Sequence, residues 1–437
     1  MQSKPSDVQP MLVDHMQRPM LSVQRMSALH QRCQQSLAKA VNQPLSTPFP
    51  MYADQLTGME LDSRPTHRLV YFLMLSKLDR LGAVRRLMRA LYSPSALYLL
   101  HLDLKANASV VQELERMEEL RRPNVRVLKT RRLAQFGGFS LFTPLLDAIF
   151  SLVEAGLRFD HFVTLGDADL PLRTHDELER FLAQFSGRSF IRIRRMSETA
   201  SPRALLHRAL QNVTVVECGG FGFVSVNQST PPPLLLRQQP SRHCCLGRSG
   251  PINYAASAPV PAREPPGEIF WGTQWAVLAL PFCRYLVNST SATQWLRVLE
   301  RRLLAHELVL PTLAMHSPFR QSIIDHDLRA SVWPSPAVST GDAHASQPTS
   351  EGKGGSEAEP KEEEAAMQKI LEPDNAELDA AAGTLDGPAQ LNDDAAQALF
   401  RSSSLCARTF DAAASPLLNA QWEHWIDAKR GGQAPRE

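Results

Sequence analysis

Residues 68–75 read RLVYFLML, an apolar run in which only the first residue is charged. Such a run is typical of a strand that is buried on both faces of a parallel sheet. Outward from it, strands are predicted at 96–102, 125–128 and 161–165, and helices at 80–92, 109–121, 137–154 and 174–185. Strand and helix alternate with short connections. The sequence therefore predicts an α/β fold, a parallel-rich central sheet flanked by helices and wound like a nucleotide-binding domain.

Polar or small residues follow the predicted strands. In open α/β sheets, ligands bind beyond the carboxyl ends of the strands. The candidates at these ends are Ser76–Lys77, Asp103, Gln135–Gly138 and Asp167–Asp169. Because Gly137 and Gly138 are predicted to open the long helix, its first amides are expected to face a nucleotide, and a tight turn at these glycines is the alternative.

Charge is distributed unevenly along the chain. The 437 residues have a formal net charge of only +2, yet residues 351–400 hold 13 acids and 3 bases. The remainder is therefore basic, which favours a polyanionic ligand. No Lys/Arg run is interleaved with aromatic residues, so the pattern favours a nucleotide over a nucleic acid.

Composition divides the chain into four parts. Residues 1–66 are predicted to be a disordered leader and 67–333 the main domain, which contains a Pro-rich insertion at 229–268. Residues 334–395 are acidic and low in complexity, as expected for a solvated linker. Residues 396–430 regain apolar character, so this segment is expected to dock on the main domain.

Several features bear on the cellular compartment. The six cysteines show no zinc-site spacing, and one or two disulfides remain open. Asn-x-Ser/Thr sequons occur at Asn107, Asn212, Asn227 and Asn288, which favours a secretory-pathway protein. No apolar run approaches the ~18 residues of a membrane span. Membrane association is therefore expected only through an anchor that this sequence does not contain.

Seven short blocks, in order, carry a family resemblance. They are the region from His67 to Leu104 with SKLD, RALYSP and YLLHLDL, then QFGGFS at 135–140, LGDADLPLRT at 165–174, GTQW at 272–275, His306–Glu307, DHDLR at 325–329 with Trp333, and RSSSLCARTF at 401–410. Together these blocks resemble the core-2/I-branching glycosyltransferases, glycosyltransferase family 14. The resemblance is closest to the plant-type β-glucuronosyltransferases, followed by the peptide O-xylosyltransferases. The leader, the insertion and the acidic linker lie outside it.

The resemblance implies a GT-A-like fold and an inverting transfer of a sugar, expected to be glucuronic acid, from a UDP-sugar to a hydroxyl of a glycan or glycoprotein. It also implies a location in the Golgi or the secretory lumen. No metal or other cofactor is expected, because basic side chains are thought to replace a metal in this family. A metal pair formed by Asp167 and Asp169 stays open as the alternative.

Glu307 is the residue that the resemblance assigns as general base, the group that accepts the proton of the attacking hydroxyl. In the xylosyltransferases an Asp in the Gly-Ser-x-Trp block competes for this role. That position is Gln274 here, which cannot ionise, so the departure argues against xylosyltransferase chemistry.

The other site residues fall into two groups. Those expected to bind the donor nucleotide are Leu75, Ser76, Lys77, Asp103, Gln135, Phe136, Gly137, Asp169, Arg408 and Thr409. Those expected to bind sugar or acceptor are Gln274, Trp275, Asp327 and Trp333. Arg408 is expected to bind the diphosphate, since an arginine stays charged and can bond two oxygens. Thr409 stands where the family has a Lys, and Lys77 is a candidate to replace that charge in part.

Three alternatives remain at this point. A xylosyltransferase or an N-acetylglucosaminyltransferase of the same family would use the same scaffold. A catalytically inactive member acting as a binding protein would account for the departures at Gln274 and Thr409. Binding of DNA or RNA by the basic domain is the third, and the missing basic-aromatic pattern argues against it.

Overall fold

The computed structural model describes residues 52–56, 67–75, 81–197, 214–217, 223–225, 264–331, 391–393 and 396–431, together with the single residues 35, 207 and 210. Several predictions concern residues outside these ranges. They are the site residues Ser76, Lys77 and Trp333, the sequons at Asn212 and Asn227, four of the six cysteines, and most of the leader, the insertion and the acidic linker.

The secondary structure of the described residues alternates as predicted over the first half of the domain. The strands are β1 (Leu69–Leu75), β2 (Leu97–Leu102), β3 (Val125–Val127), β4 (His161–Gly166), β5 (Leu170–Pro171), β6 (Ser189–Phe190), β7 (Ile193–Arg195), β8 (Val215–Glu217), β9 (Phe223–Ser225), β10 (Phe270–Gly272), β11 (Val277–Ala279), β12 (Ile323–Ile324), β13 (Arg329–Ser331) and β14 (Cys406–Arg408). The α-helices are α1 (Ala53–Leu56), α2 (Leu81–Leu91), α3 (Ala108–Arg116), α4 (Thr143–Glu154), α5 (His175–Ala183), α6 (Leu280–Asn288), α7 (Thr290–Leu299), α8 (Ala305–Met315), α9 (Ala396–Arg401) and α10 (Pro416–Arg430).

Seven strands form the central sheet, in the order β12-β6-β11-β4-β1-β2-β3. All neighbours are parallel except β11, which runs antiparallel to β4 and to β6. Every residue of β1, β2 and β4 is buried. Helices cover both faces, since the sheet divides the buried apolar residues into two clusters. The prediction of an α/β fold with a parallel-rich central sheet is thus confirmed.

The register of the sheet brings the carboxyl ends of three strands together. Leu75 of β1 pairs with Leu102 of β2, and Met74 pairs with Gly166 of β4. The next residues continue the ladder for one more step, because the amide of Asp103 donates to the carbonyl of Leu75 (3.0 Å) and that of Asp167 to the carbonyl of Met74 (3.3 Å). The segments after β2 and β4 therefore leave the sheet at the same edge.

The predicted helix 137–154 begins later than expected. Residues 135–138 form a turn, a 3₁₀ helix covers Phe139–Leu141, and α4 starts only at Thr143. Gly137 has φ +85°, a left-handed conformation that cannot belong to an α-helix and that glycine adopts readily. Its carbonyl accepts a hydrogen bond from the amide of Leu304 (2.6 Å). Gly137 therefore does not begin an α-helix. The helix N-terminus whose backbone amides were predicted to face a nucleotide at this position is not present.

One other predicted element is divided. The helix expected at 109–121 ends at Arg116, and a separate 3₁₀ turn follows at Glu118–Leu120. Further along the chain, residues 270–279 contain two strands, β10 and β11, which belong to different sheets. β10 pairs with β7, whereas β11 enters the central sheet.

The C-terminal segment packs against the domain. β14 lies between β13 and β5 in a three-stranded sheet. In α10, the indole N–H of Trp422 donates to the carbonyl of Pro171 (2.6 Å), and Lys429 pairs with Glu177 (2.6 Å). The ring of Trp422 is fully buried. These contacts hold the segment after the acidic linker on the sheet.

Two remaining predictions concern the thiols and the membrane. Cys283 and Cys406 are free and buried, and burial raises the pKa of Cys406 to about 12. Within the described ranges, no helix combines the length and the apolarity needed to cross a bilayer.

Buried histidines are expected to make the fold sensitive to acid. Burial lowers the pKa of His101 to about 3 and those of His161 and His175 to about 4, against about 6.5 for an unfolded chain. The unfolded state thus binds more protons below about pH 6.5, so the free energy of unfolding should fall as the pH drops from there towards 4. Urea unfolding at a series of pH values measures this slope.

A His101→Gln variant isolates one of these groups. The Nε2 atom of His101 accepts a hydrogen bond from the amide of Arg132 (2.9 Å), and a glutamine oxygen can accept the same bond without binding a proton. We expect a shallower pH slope in this variant and an unchanged slope for His424→Gln, since His424 is exposed. Equal slopes in all three proteins would contradict the assignment to buried imidazoles.

Candidate active site

A buried carboxylate lies just beyond the end of β4. Asp169 Oδ1 accepts from Arg408 Nη1 (2.9 Å), and Asp169 Oδ2 lies 3.5 Å from Arg329 Nη2. The amide of Gly166 donates to the same Oδ2 atom (2.7 Å). The side chain of Asp169 is inaccessible to solvent. The carboxylate therefore joins the end of β4 to β13 and to the C-terminal strand β14.

The charges of this cluster stabilise one another. Burial alone would raise the pKa of Asp169, but Arg329, Arg408 and the Gly166 amide outweigh it and hold that pKa below its usual value. Burial would likewise lower the pKa of Arg329, and the Asp169 carboxylate reverses this and raises it. Asp169 and Arg329 are therefore charged near neutral pH.

Trp275 forms one wall of the cluster. The guanidinium of Arg408 lies 4.0 Å from the centroid of this indole and that of Arg329 lies 5.4 Å from it, both within the range of cation–π contacts. At Gly166, a Cβ atom would lie 2.9 Å from both Arg408 Nη1 and the Trp275 ring, so a larger residue there would displace these side chains. Arg408 keeps 18% of its side-chain surface exposed and can meet a ligand from solvent.

A second carboxylate, Glu307, lies in the first turn of α8. Its Oε2 atom is 2.9 Å from His207 Nε2, and its Oε1 atom is 3.4 Å from His306 Nε2. The ring of Phe136 packs beside His306 at 5.2 Å and is itself nearly half exposed. The bond between Leu304 and Gly137 ties the start of α8 to this turn.

A third carboxylate, that of Glu217, packs against the turn at residues 135–138. Glu217 accepts from the amide of Ser140 (2.9 Å) and from its hydroxyl. Burial raises the pKa of Glu217. A Cβ atom at Gly138 would overlap this carboxyl group, so a glycine is needed where the turn crosses Glu217.

A short segment joins the Asp169 and Glu307 clusters. Trp271 stacks on His207, with ring centroids 5.2 Å apart and planes 28° apart, and His207 contacts Glu307. Four residues later, Trp275 lies under Arg408. Four residues span at most about 14 Å, so the backbone positions of the two tryptophans lie within that distance of each other. Gln274, between the two tryptophans, is buried, and among the described residues its Oε1 atom has no hydrogen-bond partner.

Other predicted site residues lie nearby but hold structural bonds. Asp103 Oδ1 accepts from the amide of Lys105 (2.8 Å), and its Oδ2 lies 3.3 Å from Lys105 Nζ. The amide of Gln135 donates to Ser140 Oγ (2.9 Å). Leu75 is buried at the end of β1. The carbonyl of Thr409 accepts from the amide of Leu391 (2.8 Å).

The remaining predicted residues within the described ranges are Asp327 and the two sequon asparagines. Asp327 accepts from the amide of Arg329 (3.3 Å) and lies 3.9 Å from Arg192. Asn107 and Asn288 are both exposed, as an N-glycan requires. Among the described residues, no three His, Cys, Asp or Glu side chains converge as a metal site would need.

Sequence reasoning missed three residues of the site. Arg329 lies in a block that carries the resemblance, yet nothing in the pattern marks it as the partner of Asp169. His207 and Glu217 lie between the better-defined elements, where no periodic signal selects them. A buried ionised group needs a counter-charge, but the identity of that partner depends on tertiary contacts.

Comparisons with known proteins agree with this architecture. The model of the Core-2/I-Branching enzyme family matches residues 70–213. The Drosophila melanogaster protein named Xylosyltransferase oxt is 25% identical over 277 residues, covering 62% of this chain and 27% of that protein. The Ciona intestinalis xylosyltransferase is 23% identical over 319 residues, covering 69% and 33%, and Xylosyltransferase 2 of Rattus norvegicus is 24% identical over 283 residues, covering 64% and 28%.

The chain thus matches only about a quarter to a third of the length of these relatives. They carry the name of the subgroup that the sequence motifs placed second. The family resemblance itself is confirmed over this range, and the match includes Val70–Leu75 of β1, the Gly137 turn, β4 and Asp169. Residues 70–213 of this chain are thus similar to the core-2/I-branching enzyme family of glycosyltransferases.

Proposed function

We propose that this protein transfers a sugar from a UDP-sugar to a hydroxyl of a glycan or glycoprotein, with inversion at the anomeric carbon. One observation carries the proposal: a C-terminal arginine, Arg408, is held beside Asp169 and Trp275 at the end of β4. A partly exposed cation at this edge of an α/β sheet suits the diphosphate of a nucleotide-sugar.

The proposed reaction needs two groups, and the site has one candidate for each. The acceptor oxygen attacks the anomeric carbon, the bond from that carbon to the β-phosphate oxygen breaks, and UDP leaves with the electron pair. Glu307 accepts the hydroxyl proton as general base. Arg408 meets the charge that grows on the departing diphosphate. Glu307 is 12% exposed, enough to be reached by an acceptor while remaining fixed by its neighbours.

The proposed reaction leaves open which sugar the UDP-sugar donor carries. The names of the relatives support xylose, and the sequence motifs support glucuronic acid, with N-acetylglucosamine as a third candidate. A glucuronate carboxylate would need a cation of its own. Gln274, which cannot ionise, counts against xylose, so we infer that xylose and glucuronic acid are the two donors to test first.

Thermal unfolding of the full chain with a panel of nucleotide-sugars tests the proposal. UDP-xylose, UDP-glucuronic acid and UDP-N-acetylglucosamine should raise Tm when present well above Kd, and GDP-mannose should not. Transfer to a peptide or glycan acceptor should accompany the donor that gives the largest shift. A chain that binds a UDP-sugar without transferring it would be the inactive binding protein, and a chain that binds none would disprove the proposal.

We further propose that transfer does not require a metal ion. Asp169 is already paired with two arginines, and because its single negative charge offsets only one of them, Arg408 can supply charge to the diphosphate. EDTA should therefore leave the transfer rate within about twofold of the untreated rate, a change well below the several kcal/mol that a Lewis-acid metal supplies. Loss of transfer in EDTA and its recovery with Mn²⁺ would instead identify Asp167 and Asp169 as metal ligands.

The protein is proposed to act in the Golgi or the secretory lumen. The exposed sequons at Asn107 and Asn288 support this location. Expression in eukaryotic cells followed by endoglycosidase treatment should lower the apparent mass. An unchanged mass would argue against passage through that compartment.

A further inference from the structure

The indole of Trp275 lies against both guanidinium groups of the Asp169 cluster. Its ring centroid is 4.0 Å from the guanidinium carbon of Arg408 and 5.4 Å from that of Arg329. The side chain of Arg329 is 4% exposed, whereas that of Arg408 is 18% exposed. Arg408 is therefore the member of the pair that a ligand can reach from solvent.

The charges of this cluster do not cancel. Asp169 contributes a single negative charge, and both arginines pair with it. Two guanidinium groups that share one carboxylate repel each other, which favours displacement of the more exposed one, Arg408. The electron-rich face of an indole attracts a cation and opposes this displacement. Trp275 therefore stabilises the position of Arg408 in addition to the ion pair.

Gly166 leaves the space in which the indole and the guanidinium meet. A Cβ atom at this position would lie 2.9 Å from Arg408 Nη1 and 2.9 Å from Trp275 Cη2, closer than such atoms normally approach. The amide of Gly166 also donates to Asp169 Oδ2 (2.7 Å). The last residue of β4 thus adjoins the carboxylate, the guanidinium and the indole at once.

The contact with the indole leaves donors of Arg408 available for a ligand. Within the described ranges, its guanidinium makes one hydrogen bond, from Nη1 to Asp169 Oδ1 (2.9 Å). The other N–H donors lie in the plane of the group. Because the indole meets the guanidinium over its ring face, these donors can bond phosphate oxygens at the edge of the group.

We propose that Trp275 is a positioning residue for the diphosphate: its ring face holds the Arg408 guanidinium at the end of β4, and Gly166 provides the space for this contact. The sequence motifs predicted that Trp275 binds the sugar or the acceptor, and Gly166 was not among the predicted site residues. This inference rests on the proposed function, because it concerns the binding of UDP. The indole acts only through Arg408.

Binding of UDP without a sugar distinguishes this role from a contact with the sugar. Trp275→Leu removes the aromatic face, and we expect the Kd of UDP, measured by calorimetry, to rise roughly 3–30-fold, the range of a cation–π contact. The Kd values of UDP-xylose and UDP-glucuronic acid should rise by the same factor. A tryptophan that contacts the sugar would instead leave UDP binding unchanged and weaken only the UDP-sugars, which would overturn the proposal.

An Arg408→Ala background tests whether the tryptophan acts through the arginine. Arg408→Ala alone should weaken UDP binding, and the addition of Trp275→Leu should then change Kd by less than about twofold. A purely structural role of Trp275 predicts the same loss in both backgrounds and would overturn the proposal. Trp275→Phe keeps an aromatic face and should retain most of the affinity for UDP. Equal losses in Trp275→Phe and Trp275→Leu would also overturn it.

Gly166→Ala tests the same contact from the other side and does not depend on the folding of Trp275→Leu. The added methyl group should displace Arg408 from the indole, so the Kd of UDP should rise by a similar factor. Gly82→Ala adds the same group in α2, where the nearest atom is Arg86 Nη1 at 3.6 Å, and should bind UDP as the wild type does. Wild-type affinity in Gly166→Ala would overturn the proposal.

Tyr92→Leu is the matched control for the loss of an aromatic face. The guanidinium of Arg122 lies 3.5 Å from the centroid of the Tyr92 ring. Tyr92 precedes β2, so it lies at the opposite edge of the sheet from the Asp169 cluster. This variant should bind UDP with wild-type affinity. A loss equal to that of Trp275→Leu would show that removal of any arginine–aromatic contact weakens binding, and would overturn the proposal.

The wild-type chain separates failure of this inference from failure of the proposed function. A wild-type chain that binds UDP, with equal affinity in Trp275→Leu, would overturn the role of Trp275 and leave the proposed function intact. A wild-type chain that binds neither UDP nor a UDP-sugar would disprove the proposed function, and with it the role of Trp275.

Discussion

Replacing Glu307 with Gln is expected to lower turnover by roughly 10²–10⁴-fold, the range of general-base catalysis, and to leave UDP-sugar affinity nearly unchanged. A glutamine has nearly the same shape and keeps an oxygen that can accept from His207, so the fold should not respond. It cannot take up a proton. Transfer rates under saturating donor, together with donor affinity from calorimetry, measure the two quantities separately.

Arg408→Ala provides the contrast. Its charge is expected to meet the diphosphate in the ground state and in the transition state, so donor binding should weaken as turnover falls. A Glu307→Gln protein that transfers sugar at a near-normal rate would place the base elsewhere. Asp327 is then the next candidate, since its carboxylate lies between Arg192 and Arg329 near the same edge of the sheet.

Asp169→Asn is expected to lower the free energy of unfolding by about 3–5 kcal/mol, the range measured when one partner of a buried ion pair is removed. The substitution leaves Arg329, which is almost completely buried, without an anionic partner at this position. It also removes the bond that draws Arg408 onto the end of β4. Urea unfolding at neutral pH measures the loss.

Asp427→Asn is the control for this effect. Asp427 pairs with Arg89 where α10 meets α2, and both side chains are about half exposed. An exposed pair contributes about 0–1 kcal/mol, so this variant should stay close to the wild-type stability. Similar losses in Asp169→Asn and Asp427→Asn would show that burial does not govern the strength of these pairs.

Acid should weaken the Asp169 contribution in the same direction as the substitution. The pKa of Asp169 is lower in the folded chain than in the unfolded chain. Its stabilisation is therefore complete above the unfolded value of about 3.9 and is lost as the pH falls through the folded value. This window begins below that of His161 and His175, whose pKa values are about 4, and overlaps that of His101, whose pKa is about 3.

Much of the site could be predicted because its backbone positions follow from local pattern. Asp169 was selected as a residue that follows a buried strand, and the structure has it just beyond β4. Gly137 was selected from a Gly–Gly pair, but the helix start assigned to it was wrong. Two glycines are compatible with either a helix start or a left-handed turn, and only the contacts with Leu304 and Glu217 select the turn.

The sequence by itself determined the central sheet, because short apolar runs such as 68–75 that alternate with amphipathic helices are typical of strands buried on both faces of a sheet. It also placed the candidate carboxylates at strand ends or on a helix. Only the tertiary structure decided which charges meet: Asp169 with Arg408, 239 residues away, and Glu307 with His207, 100 residues away. The spacing of hydrophobic residues in the sequence indicates which face of a helix or strand is buried. A buried charge, by contrast, needs a partner at hydrogen-bond distance, and that partner is supplied by whichever distant segment packs there.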